Sequence, residues 1–176
     1  TILCHQLAAP TKCQMPVKSV KCQAQPQLPQ HLVEVEFTIA TANVLTLAEG
    51  PDRAIPHRTR QRLLFEQFHE AQCHVVCLQE TRHKRITDRS NDHYHIIGHQ
   101  ATPAGQDGIQ MWISKKLPFY KNGPIITPKQ IFVIDSDSTY MITKLQMPRW
   151  RCIIVTGRAP HAGRPEHEGE QFWEII

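Results

Sequence analysis

His74-Val75-Val76-Cys77-Leu78-Gln79-Glu80-Thr81 is the stretch on which the fold turns. Its apolar residues run on without alternation, which suits a short strand covered on both faces and so belonging to a layered α/β arrangement. Glu80 ends the run and opens a basic loop containing Arg82, Lys84 and Arg85. Upstream, Val33-Glu34-Val35-Glu36-Phe37-Thr38-Ile39-Ala40-Thr41 alternates apolar and polar, the period of a strand with one buried face, and stops at Ala42-Asn43. Between these strands, residues 57–72 place Leu64, Phe68 and Ala71 near helical spacing, with Arg58, Arg62 and Glu66 elsewhere on the cylinder.

Downstream the pattern favours strands. Segments 94–98, 108–114, 131–136, 139–146 and 150–156 each have strand composition, and Pro148 marks a hairpin turn between the last two. Pro165 then suits a first helical position, followed by Glu166, Glu168 and Glu170 where the helix dipole favours acids. Phe172 and Ile176 are spaced for one buried face. The order strand, helix, strand, antiparallel strands, helix gives an α/β layered fold with strand pairs in its middle. A plain doubly wound fold would alternate helices throughout.

The chain has 176 residues, of which 40% are hydrophobic and 20% charged, a balance suited to one ordinary domain. Residues 1–31 carry Pro10, Pro16, Pro26 and Pro29 without apolar periodicity and are expected to be an arm or linker, leaving 32–176 for the domain. A first residue other than Met and an apolar end at Phe172-Trp173-Glu174-Ile175-Ile176 lead us to expect a piece of a longer chain. No apolar run reaches the roughly eighteen residues of a membrane helix, so no membrane association is expected. Six cysteines without a CxxC pair give no support to zinc-ribbon or thioredoxin readings, and a nuclear or cytoplasmic location is the expectation.

The formal charge of +4 is concentrated in one place. Residues 53–89 hold eight basic and four acidic side chains, and the remainder is balanced at twelve against twelve. Such a stretch suits a phosphate-bearing partner and equally a solvated helix face with a charged loop. Chemistry beside it would separate the two, and strand ends are where a rigid sheet delivers side chains. Asn43 ends the first strand, Glu80 the second, and Arg158-Ala159-Pro160-His161 follows the last. Singly, each has an ordinary reading: a turn-forming Asn, a solvated Glu, a loop His. Together, a strand-end carboxylate and a basic loop fit a hard divalent cation that shares its shell with phosphate oxygens.

Thr41-Ala42-Asn43-Val44, Val76-Cys77-Leu78-Gln79-Glu80-Thr81, the 108–114 strand, and Val155-Thr156-Gly157-Arg158-Ala159-Pro160-His161 with Phe172-Trp173 occur in order over residues 36–176. This set resembles the endonuclease/exonuclease/phosphatase superfamily of deoxyribonuclease I-like proteins, most of all the endonuclease domain of non-LTR (LINE-type) retrotransposons. The resemblance implies a four-layer α/β sandwich, Mg²⁺ (or Mn²⁺) at Glu80 with Asn43 arranging metal and phosphate, and DNA as partner. Arg82, Lys84, Arg85 and Arg158 would face the nucleic acid. It also implies a monomer, or one part of a polyprotein with a reverse transcriptase.

Arg158 departs from the family pattern, which has Tyr or His there. Arg holds a phosphate well but exchanges no proton at neutral pH. His161 matches a polar position that contacts substrate. The family's Gly-Asp-x-Asn and Ser-Asp-His motifs do not occur in these 176 residues, so the chain alone is expected not to cleave DNA. Two other readings share the same residues: a phosphoinositide- or sphingomyelin-type phosphatase or diesterase, and a non-catalytic nucleic-acid-binding remnant.

Overall fold

The computed structural model describes residues 18–22, 35–47, 57–160 and 165–175. In chain order its elements are β1 (Lys18–Cys22), β2 (Val35–Asn43), α1 (His57–Glu70), β3 (Val75–Gln79), β4 (Thr87–Ser90), β5 (Tyr94–His99), β6 (Ile109–Ser114), a short 3₁₀ turn (Pro128–Gln130), β7 (Ile131–Ser136), β8 (Tyr140–Met147), β9 (Trp150–Gly157) and α2 (Glu166–Ile175). The architecture is mixed α/β with two sheets, one ordered β1-β2-β3-β6-β5-β4 and the other β7-β8-β9. The strands expected from periodicity are present, shifted at their ends by a residue or two.

β3 is buried at all five positions, as its uninterrupted apolar run requires. It pairs parallel to β2 and antiparallel to β6. The parallel pair needs a crossover, and α1 supplies it. Phe68 is buried, Leu64 and Phe65 are half-buried, and Phe65 and Phe68 meet Trp112 of β6 at ring-centroid distances of 4.2 and 6.1 Å. Ala71, expected on the same stripe, lies exposed in the turn after the helix. Leu64, Phe65 and Phe68 pack with Ala40, Val76, Leu78, Tyr94 and Ile96 on one face of the large sheet.

The opposite face of that sheet meets the small sheet. Val35, Phe37, Ile39, Val75, Cys77, Met111 and Ile113 pack there against Met141, Leu145, Met147, Trp150 and Ile154. Phe119, from the loop after β6, fills the space between Phe37 and Trp150, with centroids 5.3 and 5.2 Å away. The alternating β2 and β8 patterns therefore face a sheet-on-sheet core. The hairpin between β8 and β9 turns through Pro148-Arg149, with Met147 paired to Trp150.

Two strands were not expected. β1 lies inside the stretch expected to be an arm, yet it pairs antiparallel along β2, Lys18 opposite Ile39 and Cys22 opposite Val35. Lys18-Ser19-Val20-Lys21-Cys22 is too polar to stand out as a strand, and the open edge of β2 supplies the ladder that the sequence pattern cannot show. The rest of the expected arm lies outside the described residues. β4, Thr87-Asp88-Arg89-Ser90, is polar because it is an exposed edge, so no apolar alternation marks it. In α2, Phe172 is buried and Trp173 half-exposed, while Ile176 lies outside the described residues. No helix among the described residues is long and apolar enough to cross a membrane.

Candidate functional site

β2 and β3 run parallel and end level, Asn43 opposite Gln79, so Asn43 and the following Glu80 emerge side by side from the large sheet. Asn43 Nδ2 donates to Glu80 Oε1 at 2.7 Å, and Asn43 Oδ1 accepts the Leu45 backbone N–H at 3.0 Å. Beneath them, Gln79 Nε2 donates to Thr41 Oγ1 (3.0 Å) and to Thr156 Oγ1 of β9 (3.3 Å). That amide ties the two sheets together at the floor of the site. Such a buried bridge holds the ends of β3 and β9 in fixed relation.

Glu80, Arg82 and Asp107 all adopt left-handed backbone, with φ of 55°, 54° and 61°. Each such residue costs about 1–2 kcal/mol relative to ordinary geometry and persists only where its surroundings over-determine it. Here the surroundings are backbone hydrogen bonds. Thr81 N–H donates to Gly108 O (3.0 Å), Arg82 N–H to Asp107 O (2.9 Å), Leu47 N–H to Thr81 O (2.7 Å), and Gly108 N–H to Ser138 O (2.8 Å). Gly108 has φ +87°, and a Cβ there would stand 3.0 Å from both Arg82 N and Thr81 Oγ1. Only glycine lets the 106–108 turn approach the Glu80 loop this closely.

The result is a cleft of about 550 Å³ whose lining includes Glu80, Arg82, Asp107, Ser138, Thr139, Arg158 and Phe172. Within it, charges alternate. Arg158 Nη2 lies 3.2 Å from Glu80 Oε1, Arg158 Nη1 donates to Asp107 Oδ1, and Arg82 Nη2 lies 3.5 Å from Glu80 Oε2. The Glu80 side chain is 8% exposed, while those of Arg158 and Arg82 are 28% and 41% exposed, so the acids sit beneath and the guanidiniums toward solvent. The Nε atoms of both arginines are buried without a hydrogen-bond partner. Two acids against two guanidiniums leave the cleft formally neutral, with cationic groups at its open side. Beside it, Tyr140 donates its hydroxyl to Asp135 Oδ2 at 2.7 Å. That bond, with burial second, pushes the phenol up to about 12 and keeps it protonated.

Sequence reasoning singled out seven residues, and the structure brings four of them together: Asn43, Glu80, Arg82 and Arg158. Lys84 and Arg85 stand exposed in the same loop without lining the cleft. His161 lies outside the described residues. Part of the basic 53–89 stretch is structural: Arg60 Nη2 donates to Val44 O (2.7 Å), Arg89 Nη2 to Gln61 Oε1 (3.1 Å), and Arg62 pairs with Glu66 one turn on (3.6 Å). Sequence reasoning missed Asp107 and Gln79. Asp107 precedes Gly108, and Asp-Gly is ordinarily a turn signal, which hid its second role as a guanidinium partner. Gln79 ends the apolar run Val75-Val76-Cys77-Leu78, as the one polar residue of β3, which was the available signal.

The residues expected to take Mg²⁺ or Mn²⁺, Glu80 and Asn43, lie side by side with their oxygens engaged within the protein. Both Glu80 oxygens face guanidinium nitrogens, one of them also accepts from Asn43, and the only oxygen of the Asn43 side chain is engaged by Leu45 N–H. Among the described residues, no three His, Cys, Asp or Glu side chains converge as a metal site. What the cleft offers is planar, multidentate N–H donors and hydroxyls, the chemistry of phosphate recognition. No protein-family model matches the chain. No curated protein matches it at a significant level.

Proposed function

We propose that this chain is the phosphodiester-recognising portion of an endonuclease/exonuclease/phosphatase-type domain, of the kind found in LINE-type retrotransposon endonucleases, and that it seats a DNA backbone phosphate between Arg82 and Arg158. In this reading the two packed sheets with α1 outside belong to the superfamily's four-layer sandwich. The carrying observation is the pair of partly exposed guanidiniums paired with buried Glu80, at the end of β3, and half-buried Asp107, in the turn before β6. The carboxylates orient the arginines, whose remaining N–H groups point a positive, fork-shaped surface at the cleft. Ser138, also lining it, adds a neutral hydroxyl, while the Thr139 hydroxyl beside it already donates to Asp137 Oδ1 at 2.8 Å.

Binding without cleavage is the activity these residues support. Both acids of the cleft are engaged by guanidinium, and the Gly-Asp-x-Asn and Ser-Asp-His motifs that the resemblance requires for water activation do not occur in the sequence. The test is fluorescence anisotropy of a labelled DNA duplex across a salt series, with anionic phosphoinositide vesicles as a second arm. We expect DNA binding whose logarithmic salt slope falls by about one on Arg82→Gln, the signature of one lost phosphate contact. Absence of binding at low salt, an unchanged slope, or preference for the vesicles refutes the reading. Nicking of supercoiled plasmid that survives Glu80→Gln refutes the binding-only assignment.

A further inference from the structure

We infer that Arg158 is a built-in counter-ion that takes up the carboxylate oxygens a divalent cation would need, so that the cleft binds phosphodiester without metal, and that neutralising Arg158 converts it into a divalent-cation site. The DNA half of this inference rests on the proposed function; the cation half does not. One planar guanidinium spans both acids, Nη2 on Glu80 Oε1 at 3.2 Å and Nη1 on Asp107 Oδ1. One guanidinium thus bridges the two carboxylates. Arg158 satisfies them with a single planar, delocalised charge.

The bridge is anchored at every point. Arg158 N–H donates to Thr139 O at 2.8 Å, fixing the residue at the exit of β9. Asp107 is fixed through its carbonyl to Arg82 N–H, and Glu80 through Asn43. The side chain therefore meets its partners without rearrangement, and a divalent ion must displace a tethered cation to reach Glu80. Removing the guanidinium charge leaves Glu80 and Asp107 facing each other with only Arg82, 41% exposed, to balance them. One or two carboxylates with bound water are the shell that Mg²⁺ and Mn²⁺ accept. The residue that departs from the family pattern thus exchanges a metal-assisted phosphate site for a metal-free one.

Two measurements test this. First, the electron paramagnetic resonance signal of free aqueous Mn²⁺ is titrated against the full chain, Arg158→Gln and the double variant Arg158→Gln/Glu80→Gln, with circular dichroism melts establishing that each is folded. We expect no Mn²⁺ uptake by the native chain, uptake at least tenfold tighter by Arg158→Gln, and its loss in the double variant. Equal uptake by native and Arg158→Gln chains, or no gain by a folded Arg158→Gln, overturns the inference. Second, binding of the labelled duplex by the unmodified chain is compared in Mg²⁺ and in EDTA at matched ionic strength. We expect affinities within twofold of each other. A tenfold dependence on Mg²⁺ overturns the inference even if Arg158→Gln does not fold. Failure to bind DNA in either condition refutes the proposed function instead, and the Mn²⁺ titration of the unmodified chain still decides the counter-ion.

Discussion

Replacing Glu80 by Gln separates what the carboxylate does for stability from what it does for binding, because the two effects have opposite signs. The substitution keeps shape and removes one negative charge. Asn43 still has an oxygen to donate to, but its bond drops from charge-assisted to neutral, a loss of about 1 kcal/mol. Breaking a fully buried ion pair costs about 3–5 kcal/mol. Here Arg158 is 28% exposed and keeps Asp107, and Arg82 is 41% exposed and recovers water, so the ion-pair part is reduced to about 1 kcal/mol. The sum, about 2 kcal/mol, lowers the melting temperature of a chain this size by about 4–8 °C.

The same change moves the four charged cleft residues from formally neutral to +1. A phosphate roughly 6 Å away, at an effective dielectric of about 40–80, then gains about 0.7–1.4 kcal/mol. DNA affinity is therefore expected to rise about three- to tenfold. Urea or thermal unfolding reads the first number, and anisotropy of a labelled duplex in EDTA reads the second. A Glu80→Gln chain that is folded yet binds DNA no better, or more weakly, refutes the reasoning, because Glu80 would then be supporting the anion rather than neutralising the arginines.

Gly108→Ala forces a side chain into φ +87° with its Cβ 3.0 Å from Arg82 N and Thr81 Oγ1. It should cost about 1–3 kcal/mol, seen as a drop of several degrees in the melt, and should weaken DNA binding as the Arg82 loop is displaced. Stability should also fall in mild acid. His74 Nδ1 accepts Thr38 N–H at 3.1 Å, its Nε2–H faces Pro118 O at 3.3 Å, and burial lowers its pKa from the ordinary 6.5. The folded state favours the neutral ring, so this contribution is full above pH 6.5 and is lost as pH falls from there through the lowered folded value. Urea midpoints between pH 7.5 and 5.5 should decline, and less steeply in His74→Asn. An identical slope in the variant would remove His74 as the source, leaving His95, also lowered by burial, to account for it.

Much of the fold was legible because strands and helices write their periods locally. The unbroken apolar run of β3, the alternation of β2 and the leucine–phenylalanine spacing of α1 each report burial on one face or two. β1 and β4 were not legible because their residues are mostly polar, so a neighbour's hydrogen bonds and not an apolar pattern hold them in place. In the site, Asn43, Glu80 and Arg158 stood out as polar groups at strand ends, and Arg82 as part of a basic loop. Asp107 did not, since an acid before glycine is commonplace in turns and its partner lies in β9's exit, far along the chain.

The amino-acid sequence by itself determined the strands of both sheets apart from the two edges, the helix between β2 and β3, and the concentration of positive charge in one segment. These follow from local periodicity and composition, to which every residue contributes without knowing its distant neighbours. Only the tertiary structure decided that Glu80 meets Arg158 and Arg82, and that Arg158 also holds Asp107. The reason is that a carboxylate's chemistry depends on which charges stand within a few ångströms of it. That is set by the level ending of β2 and β3, the Gly108 approach and the Gln79 bridge between sheets.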